Sequence, residues 1–352
     1  MRSSQAIVSF TFMPSENITP MFDQGVFTIS LDFELLWGSF DSGKHRKFID
    51  HFEHDGGAFA ATRAIVDRLL ELFHKYDVRV TWATLGHLFL DHCETIDGIK
   101  HPDMPRPQHS WFPGDWYAHD PCKDYRAEPL WYGRDLVEKI LAAEPRHEIG
   151  SHSFSHVIFS DRGCTAEVAE AEISKCVELA RPFNLKLESF VFPRNQLGHL
   201  DLLPKYGFRI ARGSAPLWFF RFSNRTLRRA AHMVDDLFAI RPVCGVPQEF
   251  KPGFWIAPVS MFLQSMDGPR RLIPIRSRIR KGIKGIERAV AEKSVFHLSF
   301  HPTENLCFST ERMFFALEKI VAHAARRRDE GSLRVMTMSE MADYCEQRAV
   351  SN

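Results

Sequence analysis

The chain has 352 residues, of which 25% are charged and 44% hydrophobic, and its formal net charge at pH 7 is +1. This length suits one large α/β domain or two ordinary ones, and the near-neutral balance gives no general signal for a nucleic-acid partner. No apolar run approaches the length that spans a membrane.

The cysteines and the first residues bear on the cellular compartment. Seven scattered cysteines, an odd number without a C-x-x-C pair, argue against a disulfide framework and against a cysteine-rich zinc site. A reducing compartment fits this usage. Residues 1–14 lack the apolar core and the cleavage site of a signal peptide, so we expect a cytoplasmic protein.

Residues 27–34 (F-T-I-S-L-D-F-E) predict a buried β-strand that ends in two carboxylates. Because strand side chains alternate, Asp32 and Glu34 should leave the strand on the same side. Two acids aimed at one point repel unless a cation or a shared proton relieves them. Acids that merely cap a loop are the alternative interpretation.

The rest of the chain alternates between helical and strand patterns. Helices are predicted over residues 58–76, 134–143, 165–180, 200–206 and 310–328, with a closing helix capped by Ser339. Strands are predicted over residues 78–83, 147–152, 188–192, 208–211, 295–300 and 333–336. We therefore expect one domain with a core of about 26–348 and long insertions over about 92–132 and 213–290.

Polar residues gather where these strands end. They are Asp32, Glu34, His152, His156, Arg194 and His301. In a barrel of parallel strands, all carboxyl ends meet at one mouth. The clustering therefore favours a closed or nearly closed (β/α) barrel over an open sheet.

The H-x3-H spacing of His152 and His156 predicts a metal site. On one helical turn this spacing places both imidazoles on one side; surface or core histidines are the alternative in a chain with 17 histidines. Two histidines and a carboxylate on a divalent ion leave positions for water and substrate. With Asp32 as base, Arg194 holding it ionised and His301 as acid, the set suits hydrolysis of an amide or ester.

Four short motifs in this order resemble the polysaccharide deacetylase (NodB-homology, carbohydrate esterase family 4) superfamily. They are residues 30–34 (S-L-D-F-E), 150–156 (G-S-H-S-F-S-H), 192–195 (F-P-R-N) and 298–302 (L-S-F-H-P). The resemblance implies a distorted (β/α) barrel that binds a divalent metal, with Zn²⁺ expected, and removes acetyl from an N-acetylated sugar.

Carried over by position, the resemblance assigns a role to each strand-end residue. Asp32 would be the base, Arg194 would orient it, and His301 would be the acid. His152 and His156 would be metal ligands.

The sequence departs from the family pattern in the first motif. The usual second aspartate, which binds the metal, is replaced by Phe33, so Glu34 is the expected third ligand, as in some branches of the superfamily. The fourth motif is not evident, and Trp218 is the expected aromatic residue from it. Trp37 and Asn195 are further expected substrate contacts.

Two other features have open interpretations. His297 lies on the same strand face as His301 and is either a partner of the site or a core histidine. Basic residues crowd 270–288, with isoleucines at near-helical spacing. A solvated helix with its isoleucines in the core is one reading; weak contact with anionic lipid or a diphosphate-linked sugar is the other.

Taken together, these features predict a metal-dependent deacetylase of an acetamido sugar, acting on a nucleotide- or lipid-linked glycan precursor. Another C–N hydrolase of the same superfamily, such as an allantoinase-like enzyme, is one alternative. A glycan-binding relative that has lost the metal is the other.

Overall fold

The computed structural model describes residues 21–42, 58–214, 218–240, 242–307 and 310–351. Its strands are β1 (Gly25–Phe33), β2 (Thr81–Thr84), β3 (Thr95–Ile96), β4 (Ile99–Lys100), β5 (Glu148–Ser151), β6 (Ser189–Val191), β7 (Ile210–Gly213), β8 (Gln248–Lys251), β9 (Phe254–Pro258), β10 (Met261–Phe262), β11 (Val295–Phe300) and β12 (Leu333–Val335). Its helices are α1 (Ala58–Lys75), α2 (Arg134–Leu141), α3 (Ala166–Ala180), α4 (Arg225–Phe238), α5 (Ile275–Glu292), α6 (Pro302–Leu306), α7 (Thr310–Asp329) and α8 (Met338–Ser351).

The main sheet has the order β10-β11-β1-β2-β5-β6-β7-β9-β8, with β12 beside β1. All its pairings are parallel except that of β8 with β9. The sheet curls into a distorted half-barrel, which confirms the predicted α/β class and distorted barrel. It is not closed: among the described strands, no pairing joins the edges β10 and β8.

Strand β1 is buried on both faces, and its alternation separates two environments. Phe27, Ile29 and Leu31 belong to the large core under the helices. Val26 belongs to a second cluster, with residues of α8 such as Met341, which fills the amino-terminal end of the barrel. The positions above Val26 on that face are polar and end at Asp32. The barrel interior is therefore apolar at one end and polar at the other.

The two expected insertions differ. Residues 92–132 form a loop region with one small hairpin, β3–β4, outside the main sheet. Residues 213–290, which were expected as an insertion, instead supply β8, β9 and β10 to the main sheet. Short strands of two to five residues give too little periodic signal to be recognised in the sequence.

The structure corrects two local predictions. Cys93 and Cys122 form a disulfide, with Cα atoms 5.0 Å apart; their separation of 29 residues gave no recognisable spacing. The closing helix is capped by Thr337 rather than Ser339. Thr337 and Glu340 form a reciprocal capping box, with Glu340 Oε2 accepting from the Thr337 amide at 2.9 Å.

Helix α5 contains the basic segment, and its glycines allow close packing. An added Cβ at Gly285 would lie 2.1 Å from the Phe296 ring of β11. Arg278 and Lys281 are buried and bonded within the protein, so the segment is not a single solvated basic face. No helix among the described residues has the length and apolarity that crossing a bilayer requires.

We predict that Gly285→Ala lowers the free energy of unfolding by about 1–3 kcal/mol, because the methyl group must displace the buried Phe296 ring. Helix propensity alone would give a gain. Urea unfolding measures the change, with the exposed Arg280→Ala as control, expected within about 0.5 kcal/mol of the wild type. Equal stability of Gly285→Ala and the wild type would contradict the tight packing.

Candidate active site and metal centre

The end of β1 presents two carboxylates to the barrel mouth. Phe33 turns outward and packs edge-on against Trp82, with ring centroids 5.5 Å apart. Asp32 and Glu34, on either side of it, turn inward and are buried. Gly38 makes room for the second acid, since an added Cβ would lie 1.9 Å from Glu34 Oε1.

The segment 152–156 is a turn after β5, not a helical turn as the spacing suggested. Ser153 and His156 have left-handed φ values of 63° and 64°, a conformation that is unfavourable for residues other than glycine. Such strain persists only where the surroundings enforce it. The two imidazoles do share a side, as predicted, but the cause is this strained turn.

Glu172 of α3 holds the turn in place. Its buried carboxylate accepts hydrogen bonds from the amides of Phe154 and Ser155, at 2.9 and 2.8 Å, and from the Ser155 hydroxyl at 2.6 Å. Tyr117 donates to the same carboxylate at 3.2 Å. Burial raises the pKa of Glu172. Sequence analysis missed this residue, because it reads as an ordinary helical glutamate.

The loop 92–132 is also attached to this turn. The buried Trp116 indole donates to the Ser155 carbonyl at 3.0 Å. Trp111 is partly exposed, donates to Asp161 at 3.0 Å, and lies under the Arg194 guanidinium at 5.3 Å. These contacts give the loop tryptophans an anchoring role.

The three expected metal ligands converge. Ligand atoms of Glu34, His152 and His156 all lie within 4.8 Å of one another. Glu34 Oε2 is 2.9 Å from His152 Nε2 and 3.3 Å from His156 Nε2. Side chains separated by more than 110 positions thus meet at one buried point.

The donor chemistry of this cluster fits a divalent cation. His152 Nδ1 is 2.8 Å from the Val191 carbonyl, which can only accept, so Nδ1 carries a proton, and in the neutral imidazole Nε2 presents a lone pair. That lone pair faces Glu34 Oε2, and both atoms are buried without a hydrogen-bond partner. Two facing lone pairs are costly in a buried site, whereas a cation bound by both satisfies them.

A second buried group, His87, His101 and Asp120, has the residue types of a metal site but different bonding. Asp120 Oδ2 already pairs with both imidazole Nε2 atoms, at 2.7 and 2.6 Å. Its Oδ1 accepts from Tyr132 at 2.6 Å and from the Cys122 amide at 2.8 Å. Because this carboxylate is satisfied by hydrogen bonds, the group reads as a structural network.

Asp32 is held by Arg212, not by Arg194. The buried Arg212 guanidinium donates to both carboxylate oxygens, at 2.5 and 2.7 Å. Burial would raise the pKa of Asp32, but the charge and hydrogen bonds of Arg212 lower it below its usual value. Arg212 lies in β7, next to the end of the predicted strand 208–211. The strand-end rule applied at the other positions would have found it.

Arg194 instead donates to Asp41 at 2.5 Å. It and Asn195 have successive left-handed φ values of 54° and 53°, which turn the arginine away from the barrel interior. Asn195 remains at the site, where its Oδ1 accepts from Arg212 Nε at 2.9 Å. The predicted role of Arg194 as the partner of Asp32 is therefore wrong.

His297 is connected to the Asp32–Arg212 pair through Ser30. Its Nδ1 donates to the Pro258 carbonyl at 3.1 Å, and Nε2 is 2.8 Å from Ser30 Oγ. Ser30 also accepts from Arg212 at 2.9 Å, so its hydroxyl proton points to His297. Burial and then the Arg212 charge lower the pKa of His297 to about 3, which keeps the imidazole neutral.

His301 reaches the centre from the end of β11. Its Nε2 is 3.1 Å from Glu34 Oε1 and 3.7 Å from Asp32 Oδ2. Its Nδ1 lies 3.1 Å from Asn305 Oδ1, an acceptor that orients the ring. The imidazole is partly exposed, so it can exchange protons with solvent or substrate.

A cavity of about 340 Å³ lies beside these residues. Asn195 and Ser299 line it, as does Phe262, whose ring centroid is 5.2 Å from that of His301. Trp218 is not among the described lining residues; its neighbour Phe219 is, while the Trp218 indole donates to Asp235 at 2.9 Å.

Trp37 also departs from its expected role as a substrate contact. It is fully buried and packs on His87 and Trp131, with ring centroids 4.4 and 5.3 Å away. The short 3-10 helix Leu35–Gly38 turns it inward, under the loop 92–132. It therefore offers no face to a sugar in this structure.

We predict that purified wild-type protein takes up one Zn²⁺ per chain and that His152→Ala loses this ion, because two donors cannot replace the three that converge. The matched control is His101→Ala, which removes a histidine from the other buried group and should keep the ion. The zinc content of the three dialysed proteins, measured by metal analysis, tests this prediction. Retention by His152→Ala with loss by His101→Ala would place the metal elsewhere.

We predict that His297 makes the metal-free protein less stable as the pH falls from about 6.5 towards 3. The unfolded chain takes up a proton near pH 6.5, while the folded imidazole resists protonation down to about pH 3, so acid favours unfolding. The contribution approaches about 1.4 kcal/mol per pH unit. Urea unfolding at several pH values measures how the free energy of unfolding depends on pH. His297→Gln should flatten this dependence, and the exposed His92→Gln should not. The same pH dependence in His297→Gln and in the wild type would contradict the prediction.

Comparison with known proteins supports the fold. No protein-family model and no curated protein matches the chain. A solved structure from Mycobacterium smegmatis, assigned to the polysaccharide deacetylases, is similar with a TM-score of 0.59, at 13% identity over 96% of each chain.

Two further solved structures are similar with TM-scores below 0.5. They are a Xyl-CE4 domain of a xylanase from the hindgut metagenome of Trinervitermes trinervoides (TM-score 0.44, 8% identity, 91% of each chain) and the peptidoglycan deacetylase PdaC of Bacillus subtilis (TM-score 0.40, 11% identity, 95% of this chain and 96% of that one). The fold assignment rests on the first structure. The resemblance seen in the four motifs is confirmed at the level of architecture: this chain has the polysaccharide deacetylase (NodB-homology) fold.

Proposed function

We propose that this protein is a metal-dependent hydrolase that removes an acetyl group from an N-acetylated sugar. The observation that carries the proposal is the convergence of Glu34, His152 and His156, each with a buried side-chain atom that has no hydrogen-bond partner, beside an ionised Asp32 and a partly exposed His301. A glycan-binding protein would not need buried metal-ligand atoms that converge without hydrogen-bond partners. The fold agrees with the proposal but does not carry it.

The three converging side chains would hold the metal, with Zn²⁺ the expected ion for two imidazoles and one carboxylate. A bound divalent cation supplies polarisation of the amide carbonyl and a more acidic water. Glu34 takes the ligand position that the family's second aspartate usually has. Its longer side chain reaches inward from the residue after Phe33.

Asp32 is the proposed base. Arg212 keeps it ionised at neutral pH and fixes both of its oxygens. A carboxylate held in this way accepts the proton of the attacking water as the new C–O bond forms at the amide carbon. The Ser30–His297 contact behind Arg212 limits movement of the guanidinium.

His301 is the proposed acid. Asn305 orients the ring, and Nε2 faces the space beside both carboxylates. When the amide C–N bond breaks, protonated Nε2 donates to the leaving nitrogen, so that acetate and a free amine are the products.

The substrate is proposed more narrowly as a nucleotide- or lipid-linked acetamido sugar. The cavity beside His301 has a volume typical of small-molecule sites, and Asn195 at its edge is available for a sugar hydroxyl. Another C–N substrate and a cytoplasmic location remain predictions of the sequence.

We predict that zinc-loaded protein releases acetate from UDP-N-acetylglucosamine or tetra-N-acetylchitotetraose, and that a chelator stops the release until Zn²⁺ is restored. Asp32→Asn should keep the metal and abolish release, because the amide cannot accept the proton. His301→Ala should keep the metal and slow the reaction about a hundredfold or more. An enzymatic acetate assay and metal analysis measure both properties.

The control is Asp91→Asn, the same substitution at an exposed aspartate. Its acetate release and metal content should match those of the wild type. Bound metal without acetate release from either substrate would favour another C–N hydrolase. Glycan binding without metal would favour a non-catalytic relative. Full activity of Asp32→Asn would remove the proposed base.

A further inference from the structure

The cavity beside His301 has a basic wall on the side of helix α4. Arg228 and Arg229 both line the cavity, and His232 follows one turn later on the same face of the helix. Of the described residues that line the cavity, four carry a positive charge and none is an aspartate or a glutamate. The four are Arg194, Arg228, Arg229 and Lys281. A concave surface lined by one sign of charge attracts ligands of the opposite sign.

The two carboxylates of α4 are engaged with other groups. Buried Asp235 accepts from Lys281 of α5 at 2.5 Å and from the Trp218 indole at 2.9 Å. Asp236 accepts from the same Lys281 at 2.6 Å, and its second oxygen is 3.4 Å from His232 Nε2. All four carboxylate oxygens therefore have a partner. These contacts also fix the rotation of α4, which sets the direction in which its two arginines face.

Arg229 has the positive charge that is most available to a ligand. It is exposed, and among the residues that the structure describes no carboxylate forms an ion pair with it. Arg194, by contrast, already donates to Asp41. Arg228 is half-buried at the same wall as Arg229, so two positive charges border one cavity, and a bound anion would relieve their repulsion. A guanidinium also offers planar donors that match the oxygens of a phosphate.

The same cavity extends to the proposed catalytic centre. Asn195 lines it and accepts from Arg212, the residue that holds Asp32. Phe262 also lines it and packs on His301, with ring centroids 5.2 Å apart. The volume of about 340 Å³ lies in the range of small-molecule sites. A substrate whose acetamido group reaches the catalytic centre can therefore place another part of itself against α4.

We propose that Arg229, with Arg228 beside it, binds a phosphate group attached through the anomeric oxygen of the acetamido sugar. The identity of the sugar rests on the proposed function, whereas phosphate binding by α4 does not. A phosphate forms charge-assisted hydrogen bonds with guanidinium groups, while a second neutral sugar in this place would leave the positive charges unpaired. Nucleotide-linked and lipid-linked sugars share this phosphate, so it is the group that the cavity recognises in either.

Equilibrium binding without turnover tests the phosphate site. Isothermal titration calorimetry uses Asp32→Asn protein incubated with Zn²⁺ as the parent. We expect N-acetylglucosamine 1-phosphate to bind at least tenfold more tightly than methyl N-acetylglucosaminide, which lacks the phosphate. Adding Arg229→Gln should remove most of this preference, because a charge-assisted contact is lost, and Arg229→Lys should keep part of it. The control is Arg280→Gln, the same loss of charge at an exposed residue of α5 outside the described cavity lining, which should bind as the parent does.

Two further measurements separate the source of the phosphate from its recognition. Added salt should weaken the phosphate preference of the parent and have a smaller effect on Arg229→Gln, because salt screens the charge of an exposed guanidinium. The same titrations with UDP-N-acetylglucosamine and with farnesyl diphospho-N-acetylglucosamine compare a nucleotide-linked with a lipid-linked sugar. A loss of affinity for either ligand in Arg229→Gln supports the site, and the ligand that binds more tightly to the parent identifies the source.

The proposal is overturned if the parent binds the phosphorylated and the neutral sugar equally, or if Arg229→Gln keeps the full phosphate preference. It is also overturned if Arg280→Gln loses as much affinity as Arg229→Gln. Acetate release by proteins with intact Asp32 is measured separately. If none of them releases acetate while the phosphate preference still depends on Arg229, the proposed function fails and the phosphate site stands. If acetate is released but Arg229→Gln changes no affinity, the phosphate site fails and the proposed function stands.

Discussion

The buried approach of His152 Nε2 to Glu34 Oε2, at 2.9 Å, is the constraint on which the rest of the site depends. The Val191 carbonyl fixes the imidazole tautomer, and burial removes the water that would otherwise separate the two atoms. Neighbouring residues hold His152 Nε2 and Glu34 Oε2 in this position. Gly38 leaves space for the carboxylate, and Glu172 holds the strained turn that brings the second imidazole. The buried unpartnered atoms and the strained turn each cost free energy, and binding of a cation would offset these costs.

The buried charges at the barrel mouth are arranged in layers. Arg212 neutralises Asp32, and the neutral tautomer of His297 below it avoids a second positive charge next to the guanidinium. Above this pair, His301 faces two carboxylates and has access to solvent. An ionised carboxylate and a solvent-accessible imidazole therefore lie close together at different depths of the barrel mouth.

The sequence was sufficient for the strand-end residues and for the alternation of helices and strands. Asp32, Glu34, His152, His156 and His301 could be selected because they follow apolar runs, and strand ends meet in space. Arg194 was selected on the same ground and was wrong, because two successive left-handed residues turn it outward and no spacing encodes that. Glu172 could not be found at all, since its role exists only once α3 packs against the turn. Strands β8 to β10 were missed because they are too short to show a period.

The Trp116 indole has a consequence for how this protein can vary. It joins the loop 92–132 to the same peptide segment that carries both imidazoles, so the loop and the two histidines are mechanically connected. Stretches of the loop far from this tryptophan can change in length without displacing the imidazoles. Replacement of the whole loop would disturb the histidines as well, so sequence changes in this loop should be tolerated best on either side of this anchor.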